Sequence, residues 1–271
     1  MSAKFWNRLA HERELWQKGI ALVAGVDEAG CGPLAGPVVS AAVMFPSSWA
    51  EAGLYSKLRG LNDSKQLDEE QREKFFNIIT AHTEIRHAIT IVDVEMIDRI
   101  NIRQAAWRGM NLSLDQLSPK PEHVLVDGLK ISWLPYQQTA LVEGDAKSYS
   151  IAAASVLAKV TRDRLMRDYD KQFPGYGFAD HKGYATPEHQ RAIRELGPCA
   201  IHRRSFDYIR ELRGEYCQAY YSLKERGYAC ASRAELTHWE AEMKAALPNL
   251  ALNENKKLHL LASRLWKRLK A

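Results

Sequence analysis

The stretch Val23–Val39 constrains this chain more than any other. An apolar run from Ala21 to Val26 ends in two adjacent acids, Asp27 and Glu28, a turn of small residues follows with Gly30 and Gly32 around Cys31, and after Pro37 a second apolar run extends from Val38 to Phe45. Apolar runs of this length, bounded by Gly and Pro, predict two buried strands that neighbour each other in one sheet. Carboxylates at the end of a buried strand are costly unless positive charge meets them, and a divalent cation is the usual partner where several converge.

The same patterning extends along the chain. Asp68 and Gln71 have capping-box spacing ahead of a helix whose apolar stripe is Phe75, Ile78 and Ile79. Residues 84–92 alternate as a third strand. Residues 93–117 predict helix in two pieces, with Ile97, Ile100, Ala105, Trp107 and Leu112 inward, ended by Ser118-Pro119-Lys120-Pro121. His123–Gly128 is a fourth strand closing on Asp127, and 139–143 a fifth, leading to Gly144-Asp145. Residues 150–173 predict a long helix whose small residues Ala152–Ser155 allow close packing on a sheet. Thr186-Pro187 starts another helix, with Pro in the first turn, and Gly197-Pro198 stops it. The expected fold class is therefore α/β, a mixed sheet covered by helices. Three regions are expected: an N-terminal helix over 1–20 (with Trp6, Leu9, Leu15 and Trp16 apolar), a core over 21–210, and a helical basic extension over 211–271.

Composition narrows the function classes. With 271 residues and 46% hydrophobic content the chain can bury a real core, and no apolar run approaches the ~20 residues that span a bilayer. Four cysteines without CxxC spacing give no zinc pattern. A cytoplasmic, reduced, membrane-free protein is expected. The net charge of +5 is concentrated at the end, where Lys256, Lys257, Arg264, Lys267, Arg268 and Lys270 face only Glu254, and a basic end on a balanced body fits a polyanion. Leu258, Leu260, Leu261, Leu265 and Leu269 predict the apolar stripe of a final helix that could offer Lys267, Arg268 and Lys270 to such a partner.

Asp27, Glu28, Asp127 and Asp145 all fall where strands are expected to stop. If they share one end of one sheet, they cannot all stay ionised without cations, and hard oxygen ligands select Mg²⁺ or Mn²⁺. Two such ions roughly 3.5–4 Å apart would activate water on a phosphodiester and stabilise its leaving oxygen. Singly, each acid could be an ordinary turn residue, as Asp127-Gly128 illustrates.

At this point the sequence resembles the ribonuclease HII family. The resemblance is carried by Asp27–Pro37, Leu61-Asn-Asp-Ser-Lys65, Val126-Asp-Gly128, Gly144-Asp145, Ile151–Asp163, His181-Lys-Gly-Tyr184 and His202–Phe206, in order and at matching spacing from about Leu22 to Phe206. It implies a ribonuclease H-like fold, a mixed five-stranded sheet flanked by helices. It also implies endonucleolytic cleavage on the 5′ side of ribonucleotides embedded in DNA or in RNA/DNA hybrids, leaving 3′-hydroxyl and 5′-phosphate, in ribonucleotide removal and primer degradation. Asp27, Glu28, Asp127 and Asp145 match the family's metal-binding acids for two Mg²⁺ or Mn²⁺ ions, with Asp27 the acid shared by both. Gly30-Cys31-Gly32 matches its Gly-Arg-Gly motif, whose backbone senses the ribose 2′-OH, the atom that separates RNA from DNA. Tyr184 matches the tyrosine that packs on the neighbouring deoxyribose, and Lys65 a phosphate contact. Cys31 stands where the family usually has Arg, so backbone readout survives and a side-chain phosphate contact does not. The arginines of His202-Arg203-Arg204 are expected to tie the last core segment to sheet-end carbonyls or acids.

The related ribonuclease HIII carries a sizeable N-terminal domain that the roughly twenty residues before the first strand do not supply. The expected partners are RNA/DNA hybrid and ribonucleotide-containing DNA, with the protein a monomer. The competing reading, a binding protein of the same fold without activity, is motivated by Cys31 and the long tail and opposed by the four intact acids.

Overall fold

The computed structural model describes residues 7–269. Trp6, assigned to the apolar face of the N-terminal helix, and Lys270 of the basic tail lie outside the described residues. The chain divides between Phe206 and Asp207 into two compact units. No described helix is long and apolar enough to cross a membrane.

The first unit is built on five strands: β1 Val23–Ala29, β2 Val38–Met44, β3 Arg86–Val92, β4 His123–Asp127 and β5 Gln137–Leu141. Their order in the sheet is β3-β2-β1-β4-β5. β2 is antiparallel to both β1 and β3, whereas β4 is parallel to β1 and to β5, so the sheet is mixed. Its helices are α1 Ala10–Gln17, α2 Trp49–Ala52, α3 Glu69–Ala81, α4 Val94–Ile100, α5 Ile102–Gln116, α6 Tyr149–Gln172, α7 Phe178–His181 and α8 Pro187–Leu196. The Asp68–Gln71 capping box forms as the spacing predicts. Two details differ. β5 starts two residues ahead of the expected strand, because Gln137 and Gln138 pair with β4 although they are polar. Leu112, expected inward, is 37% exposed.

β2 is buried along its whole length because helices cover both faces. On one face, Val39, Ala41 and Val43 pack with Ile151–Ala154 and Val156 of α6. On the other, Ala42 and Met44 join Met110 and Leu114 of α5. A Cβ on Gly25 would come within 2.4 Å of the Ile151 nitrogen, so glycine here lets the first turn of α6 lie directly on the central strand. That contact fixes where the segment before α6 meets the end of β1.

Glu12 of α1 is fully buried, and accepts hydrogen bonds from the Ser148 hydroxyl (2.6 Å), the Ser150 hydroxyl (2.7 Å) and the Ser150 N–H (3.0 Å). A carboxylate there satisfies one of the N–H groups that the start of α6 leaves open, that of Ser150, and suits the positive end of its dipole.

The second unit contains α9 Asp207–Leu212, α10 Gln218–Ala229, α11 Arg233–Ala246 and α12 Leu252–Arg268. The last three enclose a separate core that includes Leu223, Leu236, Trp239, Met243, Leu258, Leu261 and Leu265. Leu260, expected on the apolar stripe, is 60% exposed because its position faces away from that core.

Candidate active site

The parallel ladder between β1 and β4 stops at Val26 opposite Val126, but β2 continues to pair with β1 through Asp27 opposite Ala41 and Glu28 opposite Ser40. Asp27 and Glu28 therefore lie within β1 instead of following it. Asp127 is the last residue of β4, and Asp145 sits in the short 3₁₀ turn Gly144–Ala146 before α6. The Gly144 N–H donates to Asp127 Oδ1 at 2.7 Å, joining the two segments.

These acids are one electrostatic group. Burial, then the charges of Glu28 and Asp127, hold Asp27 well above the usual carboxylate range, against a hydrogen bond from Ser155 and a 2.6 Å bond from the Glu28 N–H. Glu28 is raised by burial and by Asp127, while the Cys31 thiol donates to its Oε1 at 3.3 Å. Asp145 rises to about 6 through burial and then the nearby Asp63 and Asp127. For Lys65, burial works against the ammonium, yet Asp63, Asp145, Asp27 and Asp127 together raise its pKa. Like charges crowded in this way, with a single exposed lysine answering all of them, form a site that gains by taking up cations. No three His, Cys, Asp or Glu side chains among the described residues are already closed around a metal position.

A cavity of about 300 Å³ opens beside the acids. Asp27, Glu28, Gly30, Cys31, Gly32, Lys65 and Tyr184 line it, together with Ser64, Ser155, Lys159 and Arg162. Asp127 and Asp145 are outside the lining; Asp127 acts on Asp27 and Glu28, and Asp145 acts on Lys65, residues that do line it. Tyr184 is 45% exposed, and a Cβ on Gly32 would lie 3.6 Å from its ring, so ring and loop form adjacent walls. Burial and the neighbouring Glu28 push the Cys31 thiol far up, which makes it an inert filler.

Beneath the loop lie two fully buried guanidiniums, Arg162 and Arg203. Arg203 donates to the carbonyls of Gly30, Cys31, Gly36 and Pro37, and Arg162 to those of Ala35 and Pro37. Arg203 thus ties the last core segment to sheet-end carbonyls, as expected. Arg204 instead uses its backbone N–H, on Asp98. Gly30 has φ +102°, and a Cβ there would meet Arg162 Nε at 2.1 Å, so the turn admits only glycine.

Tyr184 is held by His189, which its sequence position does not single out, and behind it by His202. The Tyr184 carbonyl accepts from His189 Nδ1 (2.8 Å), His189 Nε2 lies 3.1 Å from His202 Nε2, and His202 Nδ1 accepts from the Cys199 N–H (2.9 Å). Burial brings both rings down to about 4, which keeps them neutral and lets the donors alternate along this path. Ser155 and Asp63 also escaped assignment to the site, while Lys159 lines the cavity and pairs along its helix with Asp163 at 2.8 Å. Asp63 could have been found, since it stands between two residues of the Leu-Asn-Asp-Ser-Lys stretch.

A mixed five-stranded sheet with acids at one end of its central strands and helices on both faces defines a ribonuclease H-like protein. The crystal structure of the ribonuclease H2 from Pyrococcus horikoshii OT3 superposes with a TM-score of 0.60 at 28% identity, covering 71% of this chain and 97% of that one. Bst-RNase HIII, solved in complex with Mn²⁺, shares the fold at a TM-score of 0.53 and 20% identity, covering 72% of this chain and 70% of that one. The family model for Ribonuclease HII matches residues 24–209, and a ribonuclease HII of Acetivibrio thermocellus is 51% identical over 196 residues, 72% of this chain and 73% of that protein. The chain belongs to the ribonuclease HII family and is a nuclease of ribonuclease H type HII.

Proposed function

We propose that this nuclease hydrolyses the phosphodiester on the 5′ side of ribonucleotides embedded in duplex DNA and in RNA/DNA hybrids, leaving 3′-hydroxyl and 5′-phosphate. The observation that carries the reading is the shared cavity, where mutually repelling acids face a glycine turn and an exposed tyrosine. The acids fit divalent ions: their donors are hard oxygens, and burial with like charge has raised Asp27, Glu28 and Asp145. Asp27, Glu28, Asp127 and Asp145 would hold two Mg²⁺ or Mn²⁺ ions. Bound there, the ions would lower the pKa of an attacking water and neutralise charge on the leaving oxygen.

The chain's own residues supply recognition. N–H groups of the Gly30–Gly32 turn meet the ribose 2′-OH at a distance that side chains would obstruct. The Tyr184 ring packs on the adjoining deoxyribose, and the Lys65 ammonium takes a phosphate oxygen. Cys31 leaves this backbone readout intact. Repair of ribonucleotide-containing DNA is the role that such a substrate implies.

The test is cleavage of duplex DNA carrying one internal ribonucleotide, beside all-DNA and long-hybrid controls, with Mg²⁺, Mn²⁺ or EDTA. A metal-dependent nick 5′ to the ribonucleotide, absent from all-DNA, is expected. Binding without cleavage under either metal would overturn the reading.

A further inference from the structure

We propose that Arg203 and Arg162 are positioning residues for sugar selectivity, holding the carbonyls of the 30–37 loop inward so that the Cys31 and Gly32 N–H groups face the cavity. The inference rests on the reading above that this turn meets the ribose.

The geometry follows from the peptide unit. In a planar trans peptide the C=O and N–H point in opposite directions. The Gly30 carbonyl binds Arg203, so the N–H of the same peptide, that of Cys31, points away from the guanidinium. The Cys31 carbonyl also binds Arg203, which turns the Gly32 N–H the same way. Gly30, Cys31 and Gly32 line the cavity and Arg203 does not, so the loop lies between the Arg203 guanidinium and the cavity, and the N–H groups turned from Arg203 are on the cavity side. The Ala35–Gly36 peptide displays the same rule within this loop: its carbonyl faces Arg162 Nη2 at 3.1 Å, while its N–H reaches the Ile201 carbonyl at 2.8 Å.

Mere filling of the space is a poor account of these two side chains. Their hydrogen bonds run to main-chain carbonyls and to no carboxylate, and the acids that act on them, Asp163 on Arg162 and Asp98 on Arg203, do so without a hydrogen bond, so two like charges are buried side by side with incomplete compensation. Burial, then Arg162, bring Arg203 down to about 9, a mark of that cost. Apolar side chains of similar volume would pack there at no such cost. What they could not do is bind several carbonyls with one rigid planar fork. Lysine shares the charge and lacks the fork.

Arg203→Lys separates positioning from scaffolding. Cleavage of a duplex with one ribonucleotide should lose about tenfold or more in kcat/KM, since hydrogen bonds that orient the reading groups are lost. The inhibition constant of an all-DNA duplex used as competitor should change by less than about twofold, because its phosphate contacts are untouched. Equal losses on both duplexes, or an unchanged ratio, would overturn the proposal. A wild-type chain that does not distinguish the two duplexes would instead remove the reading on which the proposal rests. If Arg203→Lys does not fold, amide exchange in the unaltered protein decides. Cys31 and Gly32 should exchange freely in the absence of nucleic acid and become protected by the ribonucleotide duplex alone, with divalent ions chelated. Protection already present in the free protein would overturn the proposal.

Discussion

The two units of this chain differ in the charge they bury. In the first, Asp27 and Asp145 are 4% and 6% exposed and each is pushed towards its neutral form, and the buried Arg203 guanidinium spends its hydrogen bonds on main-chain carbonyls. In the second, Glu254 is the buried charged residue among those described, and it is fully employed: it accepts from the Cys217 N–H and the Ala251 N–H, each at 2.7 Å, and closes the start of α12. Burial works against the Glu254 carboxylate, yet those bonds lower its pKa. The second unit uses its buried charge to secure a helix, as Glu12 does at the start of α6 in the first; only the first also holds buried charge that folding alone does not want. The latter pattern is what a functional site looks like in energetic terms.

The largest effect expected from breaking this contrast is at the acids. If these acids hold the proposed ions, Asp27→Asn or Asp145→Asn should reduce turnover by about a thousandfold or more, since the ions supply the activated water and the charge on the leaving oxygen. The same variants should be more stable than the parent when divalent ions are absent. For Asp145 the sign is fixed by its raised pKa: the stability this group allows is complete below pH ~4 and is lost as pH rises through about 6. The neutral amide removes that loss, worth on the order of 1 kcal/mol after solvent screening. Thermal melts at pH 5 and pH 7.5, with and without Mg²⁺, check both halves. An Asn variant that is inactive and also less stable in EDTA at pH 7.5 would place Asp145 in the scaffold.

How far the sequence discloses this contrast depends on what each feature requires. Strands and helices follow from apolar runs and punctuation by Gly and Pro, which is local information, and Asp68–Gln71 or Thr186-Pro187 can be read within four residues. β5 is less legible because Gln137–Leu141 carries little apolar patterning. The acids could be recognised singly, but their grouping could not, because it depends on the pairing of β4 with β1, the Gly144 N–H bond to Asp127 and the packing of α6 on Gly25. The burial of Glu12 against Ser148 and Ser150, and the Arg203 bonds to Gly30 and Cys31, join residues more than a hundred positions apart. No periodicity carries such pairings. Leu112 and Leu260 show the converse error, since an apolar residue near a stripe need not face inward.

The second unit should break through packing instead of charge. Leu258 is fully buried in the core it shares with Leu236 and Trp239, so Leu258→Ala should cost about 2–5 kcal/mol in that unit. Calorimetry of the full chain should show a transition moved to lower temperature. A melt indistinguishable from the parent would mean that this core contributes little to the measured stability.

The smallest effect concerns the basic end. Removing residues 249–271 would not isolate its charge, because α12 supplies Leu258, Leu261 and Leu265 to the core. Nor are all its cations available: Lys257 Nζ binds Glu211 Oε2 at 2.6 Å and Arg268 Nη2 binds the Cys230 carbonyl at 2.7 Å. Lys256, Arg264 and Lys267 remain exposed, spaced to share the face of α12 opposite its buried leucines, with Leu260 among them. If that face meets DNA phosphates, Lys256→Gln, Arg264→Gln and Lys267→Gln should each flatten the dependence of log affinity on log salt by about 0.9 for duplex substrate. The melting temperature should hardly move, since exposed charges contribute little to stability. An unchanged slope in the triple variant would leave the second unit with its cations merely solvated.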